Sequence, residues 1–196
     1  MAPYAPPMTT PALPDPLPFA SVDELDAWLD VHPVPHPGLW VKVAKKGAGI
    51  VSVDWVEVND VALCHGWITG QRKAFDERYF LQRITPRRPG SLWSMVNVRR
   101  VAELTAAGRM RPAGLAEVAA ARADGRWAAA YASQREAAVP EDLAAALERD
   151  PDAGAAFDAL GRTDRYQVIF ALLTARTPKG RAARLAAALA RLGAQE

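Results

Sequence analysis

The sequence has a single cysteine, Cys64, so no internal disulfide is available, and a reducing compartment fits that usage. Histidine is almost as scarce, with His32, His36 and His65 alone. The prolines of "HPVPHP" deny His32 and His36 a shared helical face, and no further thiol or imidazole completes a tetrahedral set, so no metal site is expected. The chain has no apolar run long enough to span a bilayer and no export-type segment at its start, so no membrane insertion is expected. It also lacks G-x-G-x-x-G, a P-loop, G-x-S-x-G and H-E-x-x-H. No cofactor is expected, and no catalytic residue is assigned. Net charge is small, +2 from 24 Lys/Arg and 22 Asp/Glu, which argues against a general nucleic-acid binder.

What is present is uneven. Half of the 196 residues are hydrophobic, enough to bury a core in one globular unit or two joined lobes. Residues 72–111 carry ten basic and three acidic side chains, whereas residues 112–158 carry four and nine. Residues 159–196 are basic again, seven against two. The acidic pairs Asp76–Glu77 and Glu141–Asp142 fall in a hairpin turn and in the first turn of a helix, where structure alone accounts for them.

Patterning predicts an α+β fold: an N-terminal lobe with a small, mainly antiparallel sheet and helices, followed by a helical C-terminal part. Residues 1–18, rich in proline, are predicted to be a disordered arm. Residues 19–108 are read as the α+β lobe, 109–139 as a helical connector and 140–196 as the C-terminal helical domain. In the lobe, Ser21 and Glu24 predict a capping box before a helix whose Val22, Leu25, Trp28 and Leu29 share a face. "LWVKVAKK" reads as a strand alternating Leu39, Val41 and Val43 against Trp40 and Lys42. Ser52 is the expected cap of a helix stopped by Gly66, and a hairpin follows around "FDE". Further on, Asn97, Pro112, Pro140, Asp150 with Pro151, Thr163, and Thr177 with Pro178 mark expected helix starts.

The most informative stretch is "LQRITPRRPGSLWSMVN", residues 81–97. Arg83 alternates with Tyr79 and Leu81, which predicts that it turns to the apolar side, where a charge needs a partner or a ligand. Arg87, Arg88, Ser91, Ser94 and Asn97 follow in a proline-bounded loop that leads to a helix start. Guanidinium forks, hydroxyls and free backbone N–H groups together suit an anion. Lys45 and Lys46 end the neighbouring strand, and Trp67 and Trp93 would serve as aromatic walls for a flat, nucleotide-like anion. The expected ligand-binding set is therefore Lys45, Lys46, Trp67, Arg83, Arg87, Arg88, Ser91, Trp93, Ser94 and Asn97. A purely structural alternative remains open, with Arg83 paired to an acid such as Asp60 and the serines and asparagine capping helices.

The segments "LWVKVAKKGAG", "ALC-x-GWI-x-G", "TPRR-x-x-S-x-WS-x-x-N" and "PEDLAAALERDPDAGAAFDAL" resemble the YdeI/OmpD-associated family, also labelled bacteriocin-protection. The resemblance runs from about Phe19 to the C-terminus. The chain departs from the family pattern at Thr69, where an aspartate is usual, and at "ARTPKGRAARL". The resemblance implies an α+β N-terminal part and a helical C-terminal part, and it carries over no established catalytic activity. The expectation is a cytoplasmic, non-enzymatic stress or bacteriocin-protection protein. It would bind a small anionic molecule or an acidic protein surface. The alternatives are an enzyme using the same pocket with Cys64 or His65 as reactive group, and a weak nucleic-acid module using the basic last helix.

Overall fold

The structure is a computed structural model and describes residues 15–194. The predicted arm lies outside the described residues as far as residue 14; its last two residues form a short strand, β1 (Leu17–Pro18). The described chain separates into two compact units. One comprises the residues up to Ser91 with Arg100–Asp124, and the other Leu92–Arg99 with the residues from Gly125 onward.

The first unit follows the expected α+β plan. Helix α1 (Val22–Val31) is followed by β2 (Leu39–Ala44), α2 (Trp55–Cys64), β3 (Trp67–Ala74) and β4 (Tyr79–Pro86). The sheet has the order β1-β2-β4-β3; β1 runs parallel to β2, and the β2–β4 and β4–β3 pairs are antiparallel. Alternation along β2 turns Leu39, Val41 and Val43 towards α1 and α2, where they meet Leu25, Leu29, Val58, Val61, Trp67 and Ile84 in one core. Trp28 and Val22 pack against its edge, as the helical face predicts.

Local polar groups fix the element ends. The Ser21 hydroxyl accepts from the Glu24 N–H at 3.3 Å, but the Glu24 carboxylate reaches the N–H of Ala20 rather than that of Ser21, so the predicted box closes one residue early. The cap of α2 is Asp54, not Ser52. Its carboxylate accepts from Val56 and Glu57 N–H at 2.8 and 2.9 Å, while Glu57 returns to the Asp54 N–H at 2.8 Å. Ser52 is drawn off elsewhere: its hydroxyl accepts from the Ala44 N–H and donates to the Val53 carbonyl. In β3 the register slips between Thr69 and Arg72, one extra residue forming a bulge. The buried Gln82 amide answers it by donating to the carbonyls of Gly70 and Gln71.

Helix α3 (Met95–Ala106) is divided between the units at Arg99 and Arg100. It starts before the expected cap Asn97. The Ser94 hydroxyl accepts from the Asn97 N–H at 3.2 Å, and the Ser94 carbonyl from the Val98 N–H at 3.0 Å. Pro112 opens α4 (Pro112–Ala123) as predicted. There Gly114 lies so close to the end of α2 that an added Cβ would sit 2.2 Å from the Cys64 carbonyl oxygen, and the Arg111 N–H donates to that same oxygen at 3.1 Å.

The second unit packs α5 (Glu141–Arg149), α6 (Pro151–Ala159), α7 (Arg162–Leu173) and α8 (Pro178–Gly193) around Leu143, Ala153, Phe157, Val168, Ile169, Leu172 and Leu192. Asp150 and Thr177 cap α6 and α8 as expected, whereas α7 begins at Arg162 after the cap Gly161, two residues ahead of the predicted cap Thr163. Asp142 does more than face a helix dipole: both its oxygens accept from Arg181, each at 2.7 Å.

Candidate anion-binding face

Cross-strand pairing decides where the basic residues of the sheet point. Leu39 lies opposite Ile84 and Val41 opposite Gln82, so Phe80, Gln82 and Ile84 face the helices. Arg83 therefore does share a face with Tyr79 and Leu81, but it is the sheet's other face, away from the α1–α2 core. The inward orientation predicted for Arg83 is corrected by this register. Alternation gave the parity of β4 and left open which parity meets the helices.

On that outer face Arg83 lies opposite Trp40, and Lys42 and Lys73 both lie opposite Leu81. Three cations cover two rings. The Lys73 ammonium sits 4.5 Å from the Trp40 ring centre and the Arg83 guanidinium 5.5 Å from it, while the Lys42 ammonium sits 4.8 Å from Phe75. Trp40 and Leu81 on this face are 7 % and 2 % exposed, and the Lys73 and Arg83 side chains cover part of the Trp40 ring. Arg83 donates from Nη2 to the Pro37 carbonyl at 2.6 Å. Its Nη1 is buried and meets no acceptor among the described residues. Burial lowers the Arg83 pKa from the ordinary guanidinium value. Beside this face, the hairpin carboxylate of Asp76 accepts from the Arg78 and Tyr79 N–H groups. Desolvation pushes its pKa up, but those two bonds and the charges of Lys42 and Lys45 hold it below the usual carboxylate range.

The expected set is thus distributed as follows. Lys45 is exposed at the end of β2 and donates to the Asp76 carbonyl at 2.7 Å; Lys46 is exposed beside it. Trp67 is 2 % exposed and belongs to the core face, against Trp28 and His36, so it is on the opposite side of the sheet from Arg83. Arg87 is buried, with its N–H on the Gly66 carbonyl. Arg88 and Ser91 close a tight turn on each other, the Arg88 N–H donating to the Ser91 hydroxyl at 3.0 Å. Trp93, Ser94 and Asn97 belong to the second unit. There Trp93 is buried against Trp127, and Ser94 caps α3 through the Asn97 N–H. Trp40, Lys42, Lys73 and Phe75 were missed, although pairing "LWVKVA" with "YFLQRI" by alternation brings Trp40 and Lys42 onto the Arg83 face.

Asp60, the acid considered for Arg83, is taken by others. It is 4 % exposed in side chain and accepts from Arg100 Nε at 2.6 Å and from Arg100 Nη2, with Arg109 Nη1 at 3.5 Å. Arg100 also holds Glu103, and these bonds raise its pKa further. Next to this network, His65 Nε2 lies 2.9 Å from Asp26 Oδ1, and Arg111 donates to the other Asp26 oxygen. Desolvation pushes the Asp26 pKa up, but Arg111 and His65 outweigh it and hold the carboxyl below its ordinary range. A cavity of about 220 Å³ lies here, lined by Asp23, Asp26, Cys64, Arg109 and Arg111 among others. Burial pushes the Cys64 thiol up, so it stays protonated and poorly nucleophilic. The described residues contain no cluster of three or more His, Cys, Asp or Glu able to hold a metal ion. No helix among them is long and apolar enough to cross a membrane.

Residues 17–117 match the family described as Domain of unknown function (DUF8412). Residues 136–195 match the family described as Bacteriocin-protection, YdeI or OmpD-Associated, so that resemblance is met by the C-terminal part of the chain. No curated protein and no solved structure matches.

Proposed function

We propose, for a chain that belongs to the DUF8412 family, a binding role in which the outer sheet face holds an anionic small molecule or the acidic surface of a protein partner. The observation that carries this reading is the placement of Lys42, Lys73 and Arg83 on one face. There they rest on Trp40 and Phe75 and form no ion pair with a carboxylate among the described residues. Charges held against rings in this way have little ordering entropy left to lose on binding. Lys45 and Lys46 extend the positive edge at the end of β2. Because Trp40 already lies beneath two cations, recognition would run through phosphate or carboxylate groups on the nitrogens rather than through a base stacked on the indole.

We further propose a cytoplasmic, non-enzymatic protection role. Its support is the match of residues 136–195 and the single, buried cysteine. Calorimetric titration of ATP and of a glutamate-rich peptide at low ionic strength tests the binding role. Lys73→Met/Arg83→Met should weaken binding about tenfold, as expected for losing two exposed charge contacts worth together about 1.4 kcal/mol. Added salt should weaken binding to the unaltered protein. Equal binding by the variant, or no binding of either probe, would exclude the face as the site.

A further inference from the structure

The second unit contains a separate cavity of about 270 Å³ where the start of α7 meets the segment before α5. We propose that it is a binding site for a small monoanion with an apolar body, such as an aromatic or short branched carboxylate. It goes beyond the sheet-face reading and rests on different residues.

The walls divide by chemistry. Leu160, Ile169 and Ala137 supply an apolar side, with Ile169 4 % exposed in the unit's own core. Arg162, Arg165 and Gln134 supply the polar side. Arg165 is held in place: Nη2 donates to the Asp158 carbonyl at 2.7 Å, and the guanidinium lies 5.2 Å from the Phe157 ring centre. Its Nε, by contrast, is buried without an acceptor among the described residues. A buried charged donor left in this state carries an energetic cost that a carboxylate oxygen would remove. The acid nearest Arg165 does not neutralise it. Asp158 is 82 % exposed in side chain and its carboxylate is 3.8 Å away, a pair worth little in water. Arg162, exposed, has no carboxylate partner among the described residues and adds a second positive charge to the lining.

The hydrogen-bonding groups around the cavity set the size and polarity of the occupant. The Tyr166 hydroxyl is committed to the Ala132 carbonyl at 3.0 Å, and burial raises its pKa, so it presents a neutral ring edge and not a phenolate. Gln134 approaches Thr163 at 3.4 Å through its amide nitrogen, leaving the amide oxygen as an acceptor for a ligand hydroxyl or N–H. The volume is just below the range of about 300–1,000 Å³ usual for small-molecule pockets, which favours a compact metabolite over a nucleotide. One carboxylate on Arg165 and Arg162, a body against Leu160 and Ile169, and an optional donor to Gln134 account for each wall.

Acetate, butyrate, benzoate and 4-hydroxybenzoate form a suitable probe series, read by calorimetry and by methyl chemical shifts of Ile169 and Leu160. Benzoate and 4-hydroxybenzoate are expected to bind measurably and to shift both residues, with acetate at least tenfold weaker. Arg162→Met, an exposed substitution that leaves the core intact, should weaken benzoate at least fivefold. Arg165→Lys, which keeps the charge but loses the fork and Nε, should do the same. Lys73→Met/Arg83→Met should leave benzoate unaffected. No binding across the series, or benzoate binding unchanged in Arg162→Met, would overturn the proposal.

Discussion

Two regions of the first unit handle positive charge in opposite ways. Where α2 meets the latter part of α3, Arg100 and Arg109 converge on Asp60, a carboxylate 4 % exposed in side chain, and each charge is answered by another. On the outer sheet face Lys42, Lys73 and Arg83 are answered by rings. The first arrangement is a brace: losing Arg100 removes both close bonds to the buried Asp60 carboxylate. The second can lose members at small structural cost, because no carboxylate is left stranded when one of its charges is removed. Similar side chains thus play different roles according to what faces them, and variants that remove one charge at a time separate the two.

The largest effect is expected at the brace. Arg100→Met leaves Asp60 with only the longer Arg109 contact and should cost about 3 kcal/mol in denaturant unfolding. Asp60→Asn in the same chain should restore much of that loss, since the stranded charge is then gone. Cys64→Ala comes next. It removes a small buried group and should cost about 1–2 kcal/mol while leaving anion binding unchanged, with slow labelling of the native thiol. Arg83→Met is smaller still. It gives up one bond to the Pro37 carbonyl but also removes a buried nitrogen without an acceptor, so stability should stay within about 1 kcal/mol of the parent. A loss as large as that of Arg100→Met would collapse the distinction between the regions.

The smallest effect concerns acid. Arg111 and His65 hold the Asp26 carboxyl below its unfolded value despite desolvation. A depressed carboxyl contributes its stability fully above the unfolded value of about 4, and that contribution is lost as pH falls through the folded one. Asp26→Asn should therefore flatten the acid limb of the stability profile below about pH 4 and leave its slope above about pH 6 unchanged. An identical acid limb in the variant would count against the Asp26 pairing.

Much of the fold was legible in the sequence because period and punctuation agreed. Leu39, Val41 and Val43 alternate cleanly, Pro112, Asp150–Pro151 and Thr177–Pro178 mark helix starts that the structure keeps, and Gly66 follows α2 with φ of 75°. Caps went astray where two polar residues competed: Asp54 displaced Ser52, and Ser94 displaced Asn97, because spacing alone does not say which side chain reaches the free N–H groups. The anion-binding face was half legible. Arg83 was visible as a charge in an apolar alternation, but its face depended on the register against β2, a pairing between residues about forty positions apart. Trp67 was placed beside it on composition, and the same register carries it to the other side.

The outer face is tested most directly by mapping amide and side-chain shifts of isotopically labelled protein as ATP or a glutamate-rich peptide is added. The account predicts saturable shifts along β2, β3 and β4, centred on Lys42, Lys73, Arg83 and the Trp40 indole, that fade as salt is raised. Shifts confined to residues outside the sheet, with these four unmoved, would contradict it.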